Sequence, residues 1–406
     1  MHKLAGASPR RVAVISASFG AGHDGAAREL VREFSAAGYT VTYHDFLDLV
    51  WGPLGRTVRR TYENQLKVAP GSWGWLLGCL TRHGWVNAGI GGFSARAGLR
   101  RMRAVLGPDP VAVVSTHPMA SQVLGLLRRR GELTAPTFTF LTDMSVHPIW
   151  VAPDIDLHLA LHEVAAEQAR ALGAARVQVV RPAVDPSFAQ PAGPAERVAA
   201  RTRYGLPTDG PIALVVAGSW GVGEVAHTAA EITASGLATA VTLCGRNEEM
   251  RARIAEAGSG IALGWVTEMP ALIRAADVVV QNAGGLTSLE AMNAGVPVIS
   301  YRCLPGHGTT NAIALDQARL APWITDPAGL PAALRQALTE GPAPDVAKLF
   351  TGPTTGDAVR AVLAARSPAA RLVPNPEWAG PAEWAPPIPP SILAGGGDSP
   401  LVWTGR

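Results

Sequence analysis

The sequence contains few cysteines, few charged residues and no long apolar run, and each scarcity excludes a class of protein. The three cysteines, Cys79, Cys244 and Cys303, lie far apart and show no paired spacing. They predict neither a disulfide framework nor a zinc site, and they suit a reducing cytoplasm. No uninterrupted apolar run approaches the roughly 18 residues that would span a bilayer, and we expect no signal peptide.

The overall composition is that of a folded globular protein. Apolar residues make up 48% of the 406-residue chain and charged residues 17%, a balance that excludes a disordered chain. This length is enough for two domains with full cores. The last 40 residues differ, because they contain nine prolines and a run of three glycines. Residues 367–406 are therefore predicted to form a disordered tail.

The net charge of +3 hides a strong asymmetry along the chain. Residues 1–130 hold 17 Lys and Arg against 7 Asp and Glu, whereas residues 131–406 hold 18 against 25. Within residues 56–103 there are nine basic residues and one acidic residue, Glu63. This distribution favours an anionic surface or polymer as a partner of the N-terminal part.

Strands and helices alternate from the start of the chain. Residues 11–16 have the pattern of a buried strand, residues 24–37 that of a helix ended by Gly38, and residues 40–44 that of a second strand. This order predicts a parallel sheet with right-handed crossovers, and ligands at the carboxyl ends of its strands.

The same pattern restarts after a stretch rich in Pro, Gly and Ala at residues 185–210, which we interpret as a linker. The predicted fold class is therefore α/β, with two Rossmann-like domains of doubly wound parallel sheet that face a cleft. The predicted domains are residues 1–190 and residues 191–366, followed by the tail.

Residues 278–311 suit a phosphate. A short apolar strand leads into Gly284-Gly285, a helix is predicted from Leu286 to Ala294, and a second strand and a polar loop ending at Asn311 follow. Glycines let a ligand approach the backbone, and the unpaired N–H groups of a helix start attract an anion. A plain turn is the alternative meaning of the glycine pair.

The loop after the first strand carries a histidine among glycines. Gly20, Gly22 and His23 are predicted to form a turn before the helix. The spacing is not that of a dinucleotide-binding fingerprint. His23 either caps the helix or acts as a general base at the mouth of a cleft, since imidazole titrates near neutral pH.

Residues 51–103 interrupt the alternation with a mixture of tryptophan and basic residues. Trp51, Trp73 and Trp75 stand here together with Arg59 and Arg60. This mixture is typical of a segment at a lipid headgroup boundary. A helical pair with tryptophans in its core is the second interpretation, and a nucleic-acid surface, for which no module is recognisable, ranks last.

Polar side chains follow other predicted strands of the N-terminal half. His117 follows the strand at 110–115, and Asp143 and His147 follow the strand at 137–142. The histidines lie on separate elements without ligand spacing, so we expect no metal site. His158 is predicted to be a strand residue.

Six segments together resemble the glycosyltransferase family (family 28) of monogalactosyldiacylglycerol synthases, bacterial processive diacylglycerol glucosyltransferases and, more distantly, MurG-type N-acetylglucosaminyltransferases. They are SASFGAGHDGAA (16–27), THP (116–118), FLTDMSVHPIW (140–150), RPAVDPSF (181–188), GWVTEMPALIRAADVVV (264–280) and GGLTSLEAMNAGVPVI (284–299). The segments follow the family order and cover most of residues 11–330.

The resemblance implies a GT-B fold and a metal-independent, inverting transfer from a nucleotide sugar. The C-terminal domain would hold a UDP-sugar, which is a co-substrate, so no cofactor is expected. The N-terminal domain would hold the acceptor, with His23 as the base or as the group that orients the acceptor hydroxyl. The residues implied in acceptor or membrane contact are Gly22, Trp51, Arg59, Arg60, Trp73, Trp75, His117, Asp143 and His147.

The implied donor site combines several loops of the C-terminal domain. Main-chain groups around Trp265 and Val266 would bind the uracil, and Glu290 the ribose. The diphosphate would lie on glycine turns flanked by hydroxyl groups. The full set of implied donor residues is Gly218, Ser219, Trp265, Val266, Gly284, Gly285, Thr287, Ser288, Glu290, His307 and Asn311.

One segment departs from the family pattern. Where the family has P-G-Q-E-x-x-N, this chain has Pro305-Gly306-His307-Gly308-Thr309-Thr310-Asn311. His307 and Gly308 replace the Gln and Glu that contact the donor sugar in relatives. A lost carboxylate removes a charge-assisted acceptor for sugar hydroxyls, so the donor sugar stays open.

The predicted function is transfer of a hexose from a UDP-sugar to a lipid such as diacylglycerol, at the inner face of the cell membrane. An anionic membrane surface is the expected partner, and nucleic acid is not. A soluble or polyprenyl acceptor is the nearest alternative. A nucleotide-sugar epimerase and an inactive binding protein, both with the same fold, are the others.

Overall fold

The computed structural model describes residues 10–18, 21–51, 98–107, 110–189, 193–216 and 222–366. The predicted tail and most of residues 51–103 lie outside this set. Within the described residues, no helix is long and apolar enough to cross a bilayer.

The N-terminal half is built on a six-stranded parallel sheet with strand order β2-β1-β3-β4-β5-β6. Its three central strands, β3 to β5, are buried along their whole length, as expected for a parallel sheet covered on both faces. The strands are β1 (Arg11–Ser16), β2 (Thr40–Asp45), β3 (Ala112–Ser115), β4 (Thr137–Phe140), β5 (Leu157–Ala160) and β6 (Val177–Val179).

The C-terminal half repeats this design with strand order β12-β11-β10-β7-β8-β9, again all parallel. Its strands are β7 (Ile212–Val216), β8 (Thr239–Leu243), β9 (Ile261–Leu263), β10 (Val278–Gln281), β11 (Val298–Tyr301) and β12 (Trp323–Ile324). The predicted α/β class with two doubly wound sheets is confirmed. His158 lies within β5 and is 1% exposed, as predicted for a strand residue.

Helices connect the strands and cover the sheets. In the N-terminal half they are α1 (Ala21–Ala36), α2 (Phe46–Trp51), α3 (Pro118–Arg129) and α4 (Glu163–Ala171), with a further helical stretch at 98–106. In the C-terminal half they are α5 (Pro194–Arg203), α6 (Val225–Ser235), α7 (Glu248–Glu256), α8 (Met269–Ala275), α9 (Leu286–Asn293), α10 (His307–Gln317), α11 (Leu330–Glu340), α12 (Pro344–Leu349) and α13 (Thr355–Arg366).

Two helix starts differ from the predictions made from sequence. The first helix begins at Ala21, so Gly22 and His23 belong to its first turn and not to a loop before it. The predicted polar loop ending at Asn311 is instead the start of α10, which begins at His307. Gly306 precedes it with φ of +87°, a conformation open to glycine. Glycine and threonine are poor helix formers, and the sequence pattern therefore favoured a loop.

Both halves lie in one compact unit that ends at Arg366. Helix α5, in the predicted linker, is hydrogen-bonded to the segment between α8 and β10. Buried Arg201 donates to the Ala275 carbonyl (3.0 Å) and to the Asp277 carboxylate (2.7 Å). Helix α13 returns to the N-terminal half, where the Gly356 N–H donates to Glu33 (2.6 Å) and Arg366 pairs with Asp156. The division of the chain at residues 190 and 366 stays a prediction.

Candidate active site

The loops at the carboxyl ends of the two sheets meet each other between the halves. Ser145, in the loop after β4, hydrogen-bonds Asn311 of α10. Leu286, the first residue of α9, packs on the glycines at the start of α1, and a Cβ atom at Gly25 would overlap its side chain. The structure thus brings the predicted acceptor-side and donor-side segments together.

His23 lies at this junction and its ring is held on one side. Its Nδ1 is 2.9 Å from the Thr116 carbonyl oxygen and 2.8 Å from Thr142 Oγ1. A carbonyl oxygen only accepts hydrogen bonds, so the contact with Thr116 places the ring proton on Nδ1. Nε2 is then the nitrogen with a free lone pair, which is the form a general base requires.

A carboxylate network fixes the start of α1. Asp24 accepts hydrogen bonds from Ser16 Oγ (2.9 Å), Ser18 Oγ (2.8 Å) and the Tyr43 hydroxyl (3.2 Å). These donors lie on β1, on the loop after it and on β2. Because Asp24 follows His23 directly, the network sets the orientation of the histidine relative to the sheet.

The predicted acceptor-side residues lie around His23. The rings of His23 and His117 meet edge to face with centroids 4.8 Å apart. Buried Trp150 lies 6.1 Å from both the His23 and the His147 rings, and its Nε1 donates to Asp143 at 3.0 Å. His117, Asp143 and His147 therefore form one cluster with the proposed base.

The surroundings keep these histidines neutral. Burial lowers the pKa of His147 to about 4, and the nearby His307 and His23 act in the same direction while Asp143 opposes them. Burial and the neighbouring His23 and His147 hold the pKa of His117 well below its ordinary value. Near neutral pH the imidazoles of His117 and His147 are therefore uncharged.

The Gly284-Gly285 turn is held by a side chain of the preceding strand, β10. Gln281, the last residue of β10, accepts hydrogen bonds from the Ala283 N–H (2.7 Å) and the Gly284 N–H, and donates to Ser300 Oγ (2.7 Å). Gly284 has φ of +68°, and a Cβ atom there would lie 2.7 Å from the Asn311 Cβ. Only glycine fits this position without strain.

Helix α9 begins directly after this turn. Among the described residues no side chain caps it at Gly285, its N-cap. The first N–H groups of a helix favour an anion, so the turn keeps the geometry predicted for a diphosphate. Thr287 is partly exposed in the first turn, whereas Ser288 is 2% exposed.

Glu290 lies one turn further along α9. Burial raises the pKa of its carboxyl group to about 7, and the nearby Asp185 acts in the same direction. A hydrogen bond from Thr287 and the charge of Arg28 lower it in part. Both the carboxylic acid and the carboxylate are therefore populated near neutral pH.

The loop before α6 also contacts the turn. Asn282 donates to the Val222 carbonyl at 2.8 Å, and a Cβ atom at Gly223 (φ +105°) would lie 2.6 Å from the Asn282 Nδ2. The predicted diphosphate residues Gly218 and Ser219 lie just before this point, outside the described residues. The predicted membrane residues Arg59, Arg60, Trp73 and Trp75 also lie outside the described residues. Trp51 is the last residue of α2.

The predicted uracil site lies after β9. Trp265 is 53% exposed, and the Arg246 guanidinium stacks 4.7 Å from the centre of its ring. Val266 is half-buried against the core. The pair of Trp265 and Arg246 offers a flat, open platform at the edge of the C-terminal sheet.

The segment that departs from the family pattern is closely packed. A Cβ atom at Gly308 would lie 2.7 Å from the Asn282 carbonyl oxygen and 3.0 Å from the Leu304 Cβ. His307, the first residue of α10, has a buried Nδ1 with no hydrogen-bond partner among the described residues. Burial and the nearby His23 lower the pKa of His307, and Asp143 raises it in part.

The sequence analysis did not identify the residues that hydrogen-bond the predicted site residues. Thr116, Thr142, Ser145 and Gln281 each lie at the end of a strand or in the loop after it. That placement is the only signal in the sequence, because parallel strands collect their carboxyl ends at one edge. Among the described residues, no group of three or more His, Cys, Asp or Glu side chains is arranged to hold a metal ion.

Comparison with protein families assigns both halves. Residues 23–181 match the model of monogalactosyldiacylglycerol (MGDG) synthase, and residues 212–340 match the model of group 1 glycosyl transferases. The N-terminal half thus resembles MGDG synthase, and the C-terminal half resembles group 1 glycosyl transferases. The resemblance predicted from the motifs is thereby confirmed.

Individual relatives agree with this assignment. The processive diacylglycerol beta-glucosyltransferase of Bacillus subtilis is 30% identical over 214 residues, covering 50% of this chain and 54% of the relative. The chloroplastic monogalactosyldiacylglycerol synthase 1 of Arabidopsis thaliana is 27% identical over 219 residues, covering 50% of this chain and 41% of the relative. The chain thus matches about half the length of these curated relatives.

Solved structures support the fold. MurG of Acinetobacter baumannii aligns with a TM-score of 0.50 at 16% identity, covering 88% of this chain and 99% of MurG. A sucrose-phosphate synthase from Thermosynechococcus elongatus aligns with a TM-score of 0.55 at 15% identity, covering 88% and 100%. The predicted GT-B fold is confirmed.

Proposed function

We propose that the protein transfers a hexose from a UDP-sugar to a lipid acceptor such as diacylglycerol, with inversion and without a metal ion. One observation carries the proposal: the ring of His23 is held through Nδ1 next to the start of α9, which follows the Gly284-Gly285 turn. The proposal is supported by the packing of α1, which carries His23, against Leu286 at the start of α9. The lipid acceptor is proposed from the relatives, which are named for diacylglycerol products.

His23 Nε2 accepts the proton of the acceptor hydroxyl in the proposed mechanism. The oxygen attacks the anomeric carbon from the face opposite the diphosphate, the bond to UDP breaks, and the configuration inverts. The neighbouring neutral histidines add no positive charge that would repel the protonated His23.

The departing diphosphate gains its stabilisation from the backbone. The N–H groups at the start of α9 and the positive end of the helix face the turn, so negative charge that develops on UDP is met by fixed dipoles. In this proposal the glycine turn, Thr287 and Ser288 take the place that a cation occupies in metal-dependent transferases.

The nucleotide would extend from this turn along the edge of the C-terminal sheet. Glu290 would accept hydrogen bonds from the ribose hydroxyls, and the groups around Trp265 and Val266 would contact the uracil. The sugar would face His307. Since a side chain at position 308 meets the Asn282 backbone, the carboxylate of the family pattern has no space in this packing.

The proposed location is the inner face of the cell membrane. The basic, tryptophan-containing residues 51–103 would contact anionic headgroups. Membrane contact would give the cleft access to an acceptor that stays in the bilayer.

The test is release of UDP from a panel of UDP-sugars, with and without vesicles of diacylglycerol and anionic lipid. Release that requires the vesicles, with formation of a glycolipid, is the expected result and identifies the sugar. Release without lipid would favour hydrolysis or a soluble acceptor, and an altered sugar without release would indicate an epimerase. UDP binding without any turnover would contradict the proposal in favour of a binding protein.

A further inference from the structure

Asn311 occupies the contact between the two halves with both polar atoms of its amide engaged. Its Oδ1 accepts hydrogen bonds from the Ser145 N–H (2.9 Å) and the Ser145 hydroxyl (2.8 Å). Its Nδ2 donates to the Ala283 carbonyl oxygen at 3.0 Å. The residue is 1% exposed, and both Oδ1 and Nδ2 are directed at protein groups.

The donor-side partner is the peptide unit that leads into the glycine turn. The Ala283 carbonyl is held by Asn311, and the Gly284 N–H of the same peptide unit is held by Gln281. Two side chains on opposite ends of one planar group fix its orientation. The direction of the N–H groups that follow, at Gly285 and Leu286, is fixed as a consequence.

The acceptor-side partner is the loop that carries Asp143 and His147. The Ser145 N–H donates to Asn311, and the next N–H, that of Val146, donates to Gln168 Oε1 at 2.8 Å. Two consecutive amides are thus held from α10 and from α4. From the C-terminal half, Asn311 holds the Ser145 N–H, and the Ser145 hydroxyl also lies 2.9 Å from Thr310 Oγ1.

We propose that Asn311 is a positioning residue that couples the Gly284-Gly285 turn to the loop of Asp143, Ser145 and His147. Its kinetic consequence rests on the proposed function, whereas the contact itself does not. An anion bound at the turn restricts the motion of the Ala283–Gly284 peptide unit. Because Asn311 bonds both this unit and Ser145, the motion of the loop 143–147 is restricted as well. The coupling is reciprocal, so order in the loop also favours the anion.

The size of the effect follows from the burial of the contact. Truncation of Asn311 leaves the Ser145 N–H and the Ala283 carbonyl without their partner in a nearly water-free place, which is costly. Loss of one such bond raises local opening of the loop by ~10-fold, since about 1.4 kcal/mol corresponds to a factor of ten. The effect is confined to segments that Asn311 joins.

The direct test is amide hydrogen exchange in residues 141–147, with and without UDP. In Asn311→Ala we expect ~10-fold faster exchange there without ligand. UDP should slow this exchange in the wild type and lose that effect in the variant. Asn293→Ala, which truncates the same side chain at the far end of α9, is the matched control and should behave as wild type.

The proposal is overturned if exchange in residues 141–147 is unchanged in Asn311→Ala, or if UDP slows it equally in both proteins. Should Asn311→Ala fail to fold, Ser145→Ala decides when it is compared with Thr310→Val, because Ser145→Ala removes the hydroxyl contacts with both Asn311 and Thr310 and keeps the backbone contact, whereas Thr310→Val removes only the contact with Thr310. Exchange in residues 141–147 of Ser145→Ala should then be faster than in the wild type but by less than ~10-fold. Exchange at the wild-type rate would contradict the proposed coupling.

Kinetics separate positioning from donor binding. Asn311→Ala should lower kcat by ~10-fold or more, because misplacement of reacting groups costs rate, and should weaken UDP binding by a smaller factor, because the coupling is reciprocal. An unchanged kcat would contradict the role. If the wild type binds no UDP and shows no transfer, the proposed function fails, and the exchange without ligand still decides whether the bridge exists.

Discussion

At the scale of single residues, the site depends on which atoms of a side chain are already engaged. His23 contacts the Thr116 carbonyl through Nδ1 and not through Nε2, whereas Asn311 contacts protein groups through both Oδ1 and Nδ2. His23 belongs to one of the segments from which the family was predicted, and Asn311 ends the segment that departs from the family pattern. The motif alone does not distinguish a group that meets the substrate from one that positions it.

Replacement of the proposed base gives the sharpest prediction at this scale. His23→Ala should lower the rate of transfer by ~100-fold or more, the usual contribution of a general base. UDP affinity should stay within a factor of about two, since the donor site lies on the other half. Initial rates and calorimetric titration with UDP measure the two quantities.

The control for this variant is His227→Ala, which removes an exposed imidazole from α6. Weaker UDP binding with preserved turnover in His23→Ala would contradict the role of His23.

Glu290 gives a prediction that depends on pH. The pKa of its buried carboxyl group is raised to about 7, and the carboxylate is the stronger acceptor for ribose hydroxyls. Affinity for a UDP-hexose should therefore rise between pH 6 and pH 8 and become flat in Glu290→Gln. Glu290→Ala should weaken binding by ~10-fold at pH 8, since a hydrogen bond to a charged group is worth about 1.5–3 kcal/mol.

Titration calorimetry at several pH values measures this dependence. Glu256→Ala, at the exposed end of α7, serves as the control. Equal affinities of wild type and Glu290→Ala would remove the ribose contact from the proposal.

At the scale of elements, ion pairs of Arg302 hold the loop that follows β11. Arg302 follows β11 with φ of +45°, a region that side chains other than glycine rarely adopt. Its guanidinium pairs with Glu231 of α6 (2.6 Å) and with Glu224, the N-cap of α6. Glu231 also accepts from the Tyr301 hydroxyl at 2.7 Å. The ion pairs thus hold a strained residue four positions before Gly306.

Two variants separate the strain from the ion pairs. Arg302→Ala should lower the free energy of unfolding by about 2 kcal/mol, because it loses the ion pairs and keeps the strain. Arg302→Gly should lose about 1 kcal/mol less, since glycine adopts this φ freely. Denaturant titration measures both, with exposed Arg335→Ala as the control. Identical values for the two variants would mean that no strain is stored there.

At the scale of the whole molecule, buried histidines link stability to pH. Burial lowers the pKa values of His147, His158 and His162 to about 4 each. The unfolded chain binds these protons near the ordinary value of 6.5, so it holds more protons than the folded chain between pH 6.5 and 4. Stability should therefore fall as the pH falls through this window. Glu290 acts in the opposite sense and offsets part of the effect.

His158 is the residue with which to test this linkage, because it lies within β5 and is not one of the predicted site residues. His158→Phe should reduce the slope of unfolding free energy against pH by about 1.4 kcal/mol per pH unit between pH 4.5 and 6. Its strand partner Thr139 provides the control, since Thr139→Val changes packing and leaves the slope unchanged. An unchanged slope in His158→Phe would show that this histidine does not titrate on unfolding.

The charge asymmetry gives the second prediction for the whole molecule. Arg59→Glu together with Arg60→Glu changes the charge of the basic segment by four units. Since each basic residue near an anionic surface contributes about 1 kcal/mol, binding to anionic vesicles should weaken by ~100-fold or more. The same double charge reversal at exposed Arg253 and Arg335, in the acidic half, should have a small effect in a vesicle sedimentation assay. Unchanged binding of the first variant would assign membrane contact to another surface.

The sequence by itself determined the fold, the order of its elements and the family, because these follow from local patterns. Apolar strands, helix starts and glycine turns are written in neighbouring residues, and the strand at β10 with its glycine pair appears as predicted. The starts of α1 and α10 were misplaced, since glycine and threonine in their first turns do not favour helix locally.

Only the tertiary structure decided how the predicted residues act together. The contact between His23 and Thr116 joins residues 93 positions apart, and that between Ser145 and Asn311 joins residues 166 positions apart. No local pattern encodes which nitrogen of His23 contacts Thr116 or that both Oδ1 and Nδ2 of Asn311 contact protein groups. These facts depend on the packing of two sheets against each other, because a hydrogen bond forms only where the whole chain brings its donor and acceptor together.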